Sequence, residues 1–192
     1  MEIETKTIEN DLEFLRQISK EVDFLKDDYK GAIEKLDYYC NNVDLVMAMA
    51  AVQIGIPLRI LYLKKTDFSR LDEEYNEGRI LINPKVLKQE GLTTYWEACA
   101  SCLDNFGLVE RPYKMEIEYY DKNGQRKVET FEGTECTVIC HELDHFDGIL
   151  HMDKAIELMQ MAAPERKIWR ESHPYTIIRK DGPFPSEKER GE

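Results

Sequence analysis

His141-Glu142-Leu143-Asp144-His145 brings two imidazoles and a carboxylate together within five residues. Residues four apart on a helix lie on one face, so His141 and His145 would aim both rings at one ion. Glu142 stands beside them, placed to take a proton from bound water. The helix that carries the motif is expected to run from Thr134 to about Phe146, because no proline follows Gly133 until Pro164. Its apolar content marks it as buried.

Upstream of this helix the texture is β-prone. Met115 to Tyr120 and Val128 to Phe131 flank Asp121-Lys122-Asn123-Gly124, a strong turn signal, and read as a hairpin. Arg59 to Leu63 and Ile80 to Ile82 read as strands, the second ending at Asn83-Pro84. Further out, Asn10 and Glu13 resemble a capping box, and Leu12, Leu15, Ile18, Val22 and Leu25 then recur at helical spacing. A second helix is expected from Tyr29, Ala32, Ile33, Leu36 and Cys40, stopping at Asn41-Asn42. The order predicts an α+β architecture, with mixed or antiparallel sheets packed around the central helix and helices at the N-terminus. Residues 1–182 are expected to form one catalytic domain, and the charged, proline-containing 183–192 a disordered tail.

Composition removes several classes. With 42% hydrophobic and 33% charged residues and no long apolar run, the chain reads as soluble and without a membrane anchor. The acidic start, Met1-Glu2-Ile3-Glu4, lacks the pattern of a secretory signal, and five cysteines fit a reducing compartment, so cytoplasm is expected. A net charge of −12 argues against nucleic-acid binding. Arg166, Lys167, Arg170, Arg179 and Lys180 gather near the C-terminus and are expected to form a solvated surface.

Two imidazoles do not complete a metal site, and several residues compete for the third position. His141 to His151 also matches the His-Glu-x-x-His-x-x-Gly-x-x-His signature of metzincin proteases, with Met159 or Met161 available for the turn beneath the metal. Glu165 could serve as in thermolysin-like enzymes. Cys99 or Cys102 could supply a thiolate, and with Cys136 and Cys140 would make a four-cysteine structural zinc site. Glu97 and Asp144 read as structural charges, with Arg111 as partner for either.

Three segments together resemble the peptide deformylase family. Val46-Met47-Ala48-Met49-Ala50-Ala51-Val52-Gln53 is similar to its Gly-x-Gly-Leu-Ala-Ala-x-Gln motif, Glu97-Ala98-Cys99-Ala100-Ser101 to its Glu-Gly-Cys-Leu-Ser motif, and His141 to His145 to its third, in the same order. The resemblance spans roughly Asp44 to Lys154. It implies a divalent ion held by Cys99, His141 and His145, ferrous iron in the cell with zinc, nickel or cobalt able to replace it. It further implies Glu142 as general base, and the Gln53 amide with the Ala100 N–H as oxyanion donors. The implied reaction is removal of the N-formyl group from the first methionine of new polypeptides, with transient ribosome contact.

Departures from the pattern bear on substrate. Val46, Ala48 and Ala98 replace glycines in segments that, by resemblance, face the peptide, and a methyl there narrows the cleft. Thr134, Thr137 and Val138 lie seven, four and three positions before His141 and are expected to wall the substrate pocket, unless the threonines bond to their own helix. Besides the metzincin protease, a retired enzyme that keeps its metal is the alternative, though Glu142 is retained.

Overall fold

The computed structural model describes residues 3–43, 46–64 and 78–185. A long strand organises the molecule. Strand β3 (Arg79–Ala98) pairs antiparallel with β2 (Ile60–Leu63) and β5 (Lys114–Tyr120) along its first half, and with β4 (Asn105–Arg111) along its second. Outside these, β1 (Ala48–Ala50) pairs with β2, β6 (Arg126–Glu132) with β5, and β7 (Ala155–Gln160) with β4. The C-terminal β8 (Thr176–Pro183) returns to β3. Helices are α1 (Leu12–Leu15), α2 (Tyr29–Asn42), α3 (Gly133–Phe146), α4 (His151–Lys154) and α5 (Ala163–Ser172). The architecture is α+β, as expected.

Helix α3 forms where the sequence places it, beginning at Gly133. Cys136, Ile139, Cys140 and Phe146 recur on one face and bury against Met115, Ile117 and Phe131 of the hairpin and Leu61 and Leu81 of the central strands. Each fully buried side chain of this size contributes about 1.5–3 kcal/mol, which fixes the helix on the sheet. The hairpin turns at Asp121, whose carboxylate accepts from the Asn123 and Gln125 N–H groups, with Gly124 at φ 74°. Helix α2 is capped by Asp28 on the Gly31 N–H and packs Ala32, Leu36, Tyr39 and Cys40 against β1 and β2.

Sequence expectations fail at three places. The apolar spacing from Leu12 to Leu25 does not make a helix beyond Leu15; Ile18 and Leu25 are 74% and 95% exposed. Tertiary backbone hydrogen bonds win there: Ser19 N–H donates to the Phe146 carbonyl, Lys20 N–H to Pro57 and Arg59 N–H to Lys20, while Asn83 clasps both polar groups of Val22. Asn10 caps nothing. The N-cap is Asp11, whose side chain is taken by Lys6 and the Thr7 N–H. The second failure is Asn83-Pro84, which does not end a strand. Asn83 takes φ 50°, and the register with β5 shifts between Ile82 and Lys85, so the missing Pro84 N–H falls in a bulge and β3 continues. At the C-terminus Pro183 ends β8, paired with Glu90, rather than starting a disordered tail; residues 186–192 lie outside the described residues.

Gly148 ends the α3 turn at φ 69°, and a Cβ there would lie 2.2 Å from the Arg16 carbonyl oxygen. Arg16 itself donates to the Gly148 carbonyl and pairs with Asp153. Gly148→Ala is therefore expected to destabilise the protein by about 1–3 kcal/mol, read as a lowered urea midpoint. A midpoint equal to the parent's would show that the contact relaxes freely.

Candidate metal centre

Strand β3 and helix α3 meet at the site. The strand ends at Ala98, delivering Glu97 and then Cys99 in an extended conformation, before a 3₁₀ turn at Ala100–Cys102. The helix presents His141 and His145 one turn apart. Cys99, His141 and His145 each offer one ligand atom, and these atoms all lie within 4.8 Å of one another. Cys99 Sγ is 3.3 Å from His145 Nε2. Among the described residues no other group of three His, Cys, Asp or Glu side chains converges in this way.

The donor set fits a divalent ion. His141 Nδ1 is engaged by Glu97 Oε2 at 2.8 Å, which fixes the ring and leaves the other nitrogen facing Cys99. Burial pulls the His141 pKa down, but Cys99 and Glu97 push it well above its usual value, so the surroundings favour positive charge at this point. One thiolate and two imidazoles suit zinc or iron rather than magnesium or calcium.

Behind the site lies a buried ion cluster. Arg111 donates to both Glu97 oxygens at 2.7 and 2.9 Å and to Asp144 at 2.6 Å. The sequence offered Arg111 as a partner for either acid; it holds both. Burial raises the Glu97 carboxyl, yet the Arg111 guanidinium and the His141 contact hold it far below the carboxylate range.

Glu142 is buried beside the three ligand-type residues, and its Oε2 has no hydrogen-bond partner. Burial pushes its carboxyl up to about 7 against the lowering pull of His141. Gln53, on a 3₁₀ turn at Ala51–Ile54, is held by its carbonyl on the Ala50 N–H at 3.0 Å. Its amide N–H groups point at Cys99 Sγ, 3.3 Å, and Ser101 Oγ, 3.1 Å. Ser101, fully buried, was named in the sequence only as the end of the cysteine motif, without this contact.

A cleft of about 560 Å³ opens over these residues, and Val46, Ala48, Ala98, Ala100, Thr134, Thr137 and Val138 all line it. Thr137 also donates back to the Gly133 carbonyl at 3.3 Å, the helix-bonding role open to it. The sequence did not anticipate Tyr95, Tyr175 and helix α5 in the same wall. Nor are Arg166 and Arg170 a solvated surface. Arg166 donates to the Met161 and Leu103 carbonyls, and Arg170 twice to the Trp96 carbonyl.

The rival ligands are placed elsewhere. His151 is buried and stacks on His141 with ring centroids 5.7 Å apart, but is outside the converging group, and neither ring nitrogen has a partner. It packs as a flat ring, buried more completely than a partly exposed residue would be. Met159 sits in edge strand β7 opposite Phe106, so it makes no turn beneath the metal. Glu165 is exposed on α5. Cys136 donates to the Pro112 carbonyl and Cys140 lies against Arg111, away from Cys99.

The Polypeptide deformylase family model matches residues 5–161. A peptide deformylase of Pelagibacter ubique is 37% identical over 145 residues, covering 72% of this chain and 78% of that one. One of Rhizobium meliloti is 33% identical over 140 residues, covering 72% and 78%. Among solved structures, a probable peptide deformylase from Synechococcus phage S-SSM7 superposes with a TM-score of 0.70 at 30% identity, covering 80% of this chain and 99% of that one. On its sequence match and on its fold, this chain belongs to the polypeptide deformylase family.

Proposed function

We propose that the protein is a metal-dependent hydrolase that removes the N-formyl group from the first methionine of nascent polypeptides and releases formate. The observation that carries this reading is the convergence of Cys99, His141 and His145 beside Glu142 at the base of an open cleft. A divalent ion held by those three residues would supply Lewis acidity and an acidified water at neutral pH.

The chain's own residues do the rest. Glu142 takes a proton at its free Oε2 and returns it to the departing amine, so that water and the formyl amide leave as formate and a free N-terminus. The Gln53 N–H that points at Cys99 Sγ and the Ala100 backbone N–H hold the negative charge that develops on the formyl oxygen. Arg111 keeps Glu97 ionised, and Glu97 keeps the His141 ring in one orientation. Val46, Ala48 and Ala98 flank the peptide, and Thr134, Thr137 and Val138 receive its first side chain. Ferrous iron is the proposed native metal, the cytoplasm the proposed compartment, and the chain through Pro183 one domain in transient contact with the ribosome. Among the described residues no helix is long and apolar enough to cross a membrane.

Metal content and formate release test this together. Cys99→Ser is expected to lose most of its bound metal and its activity, while His151→Phe keeps both. The reverse pattern would favour the protease reading, with His151 as ligand. Gln53→Ala is expected to retain metal and to lose about 10²- to 10³-fold in kcat, the cost of one oxyanion donor. Unchanged turnover in that variant would remove Gln53 from the mechanism.

A further inference from the structure

The family match ends at residue 161, and the chain that follows folds back onto the cleft. Helix α5 is fixed by Arg170, which donates twice to the Trp96 carbonyl at 3.0 and 2.9 Å and lies 5.1 Å over the Tyr95 ring. Trp169 stacks on His173 with centroids 4.0 Å apart and meets Trp96 edge-on. Directly after, β8 joins β3 with Thr176 opposite Thr94 and Ile177 opposite Thr93. Tyr175 is the residue between these two anchors, so its position is set from both sides.

Its ring meets Tyr95 edge-on at 6.0 Å, and its hydroxyl is sealed from solvent next to the Thr93 and Thr137 side chains, without a hydrogen bond of normal geometry. Thr137 and Thr134 form the α3 side of the same wall. Threonines are short, and a wall built from them leaves space that something must fill in a close-packed protein. Tyr175 lines the same cleft beside them.

We propose that Tyr175 is a specificity-determining residue: it closes the floor of the pocket for the substrate's first side chain and excludes side chains bulkier than methionine. The inference rests on the deformylase reading. It adds that a segment outside the family match sets the pocket's depth.

The test compares formate release by the metal-loaded full chain from formyl-Met-Ala-Ala and formyl-Phe-Ala-Ala. In Tyr175→Ala the Phe-to-Met ratio of kcat/KM is expected to rise at least about tenfold, the scale at which pocket volume discriminates, through KM rather than kcat. Tyr175→Phe keeps the ring and is expected to keep the parent ratio. An unchanged ratio in a folded Tyr175→Ala overturns the proposal, and Tyr175→Leu takes its place should the alanine variant fail to fold. If the parent releases formate from neither peptide, the deformylase reading falls. The pocket is then judged by calorimetric binding of unformylated Met-Ala-Ala and Phe-Ala-Ala, where the same shift supports Tyr175 as the floor and equal binding in parent and variant overturns it.

Discussion

Glu142→Gln is expected to lower kcat for formate release by about 10²- to 10⁴-fold, the range for loss of a positioned general base, while metal content stays at the parent level. The glutamine keeps the side chain's volume in its buried place and loses only the ability to carry a proton. Metal retention matters because Glu142 is not one of the three converging donors. The measurement is single-turnover formate release alongside metal analysis of the same preparation. Parent-like turnover would mean that another group moves the proton, and loss of metal would mean that Glu142 acts on the ion's binding instead.

Arg111→Met carries the largest expected effect on stability. The guanidinium is the shared partner of Glu97 and Asp144, both buried, so its removal leaves Glu97 with only the His141 ring and Asp144 with only Lys154. Breaking a buried ion pair from one side costs about 3–5 kcal/mol, because the remaining charge is left without compensation. For a chain of this size that corresponds to a fall in Tm on the order of 10 °C. Thermal unfolding followed by circular dichroism checks the magnitude. The complementary variant, with Glu97→Gln and Asp144→Asn added to Arg111→Met, is expected to recover part of the loss, since the buried carboxylate charges are gone and only the partly exposed Lys154 loses an ion partner. Absence of any recovery would show that packing of the long side chain outweighs its charge. Because Glu97 also holds His141, Arg111→Met is expected to weaken metal retention as well.

The parts of this molecule that were legible in sequence are those where local pattern and tertiary need agree. Helix α3 was readable because its apolar face and its ligand spacing share one period, and the hairpin because Asp121 to Gly124 dictates its turn chemically. The convergence of Cys99, His141 and His145 was readable because motif order names those residues, and Arg111 was offered as a partner for either acid although only the fold brings all three together. What failed did so through long-range hydrogen bonding. The carbonyls of Phe146 and Pro57 claim the backbone at Ser19 and Lys20, and no period within residues 12–25 could announce partners so far along the chain. Strand β3 outran Asn83-Pro84 because a bulge absorbs the missing donor, a choice made by β5 rather than by the proline. Tyr175 belongs to no spacing rule, and Ser101 stood in the cysteine motif with no role attached. They reach the site through α5, β8 and the turn after Cys99, and only the folded chain brings them there.

The long strand also limits how this chain can change in length. Side chains along a strand alternate between faces, so deleting one residue between Lys85 and Thr94 would exchange the roles of Trp96 and Glu97 and turn the following cysteine away from the helix. The tip at Lys122 to Asn123 carries no such obligation, since the strands on either side of it close their ladder before it. Natural or engineered variants should therefore gain or lose residues at that tip at the cost of the Asp121 turn bonds alone, and hardly ever within the twenty-residue strand.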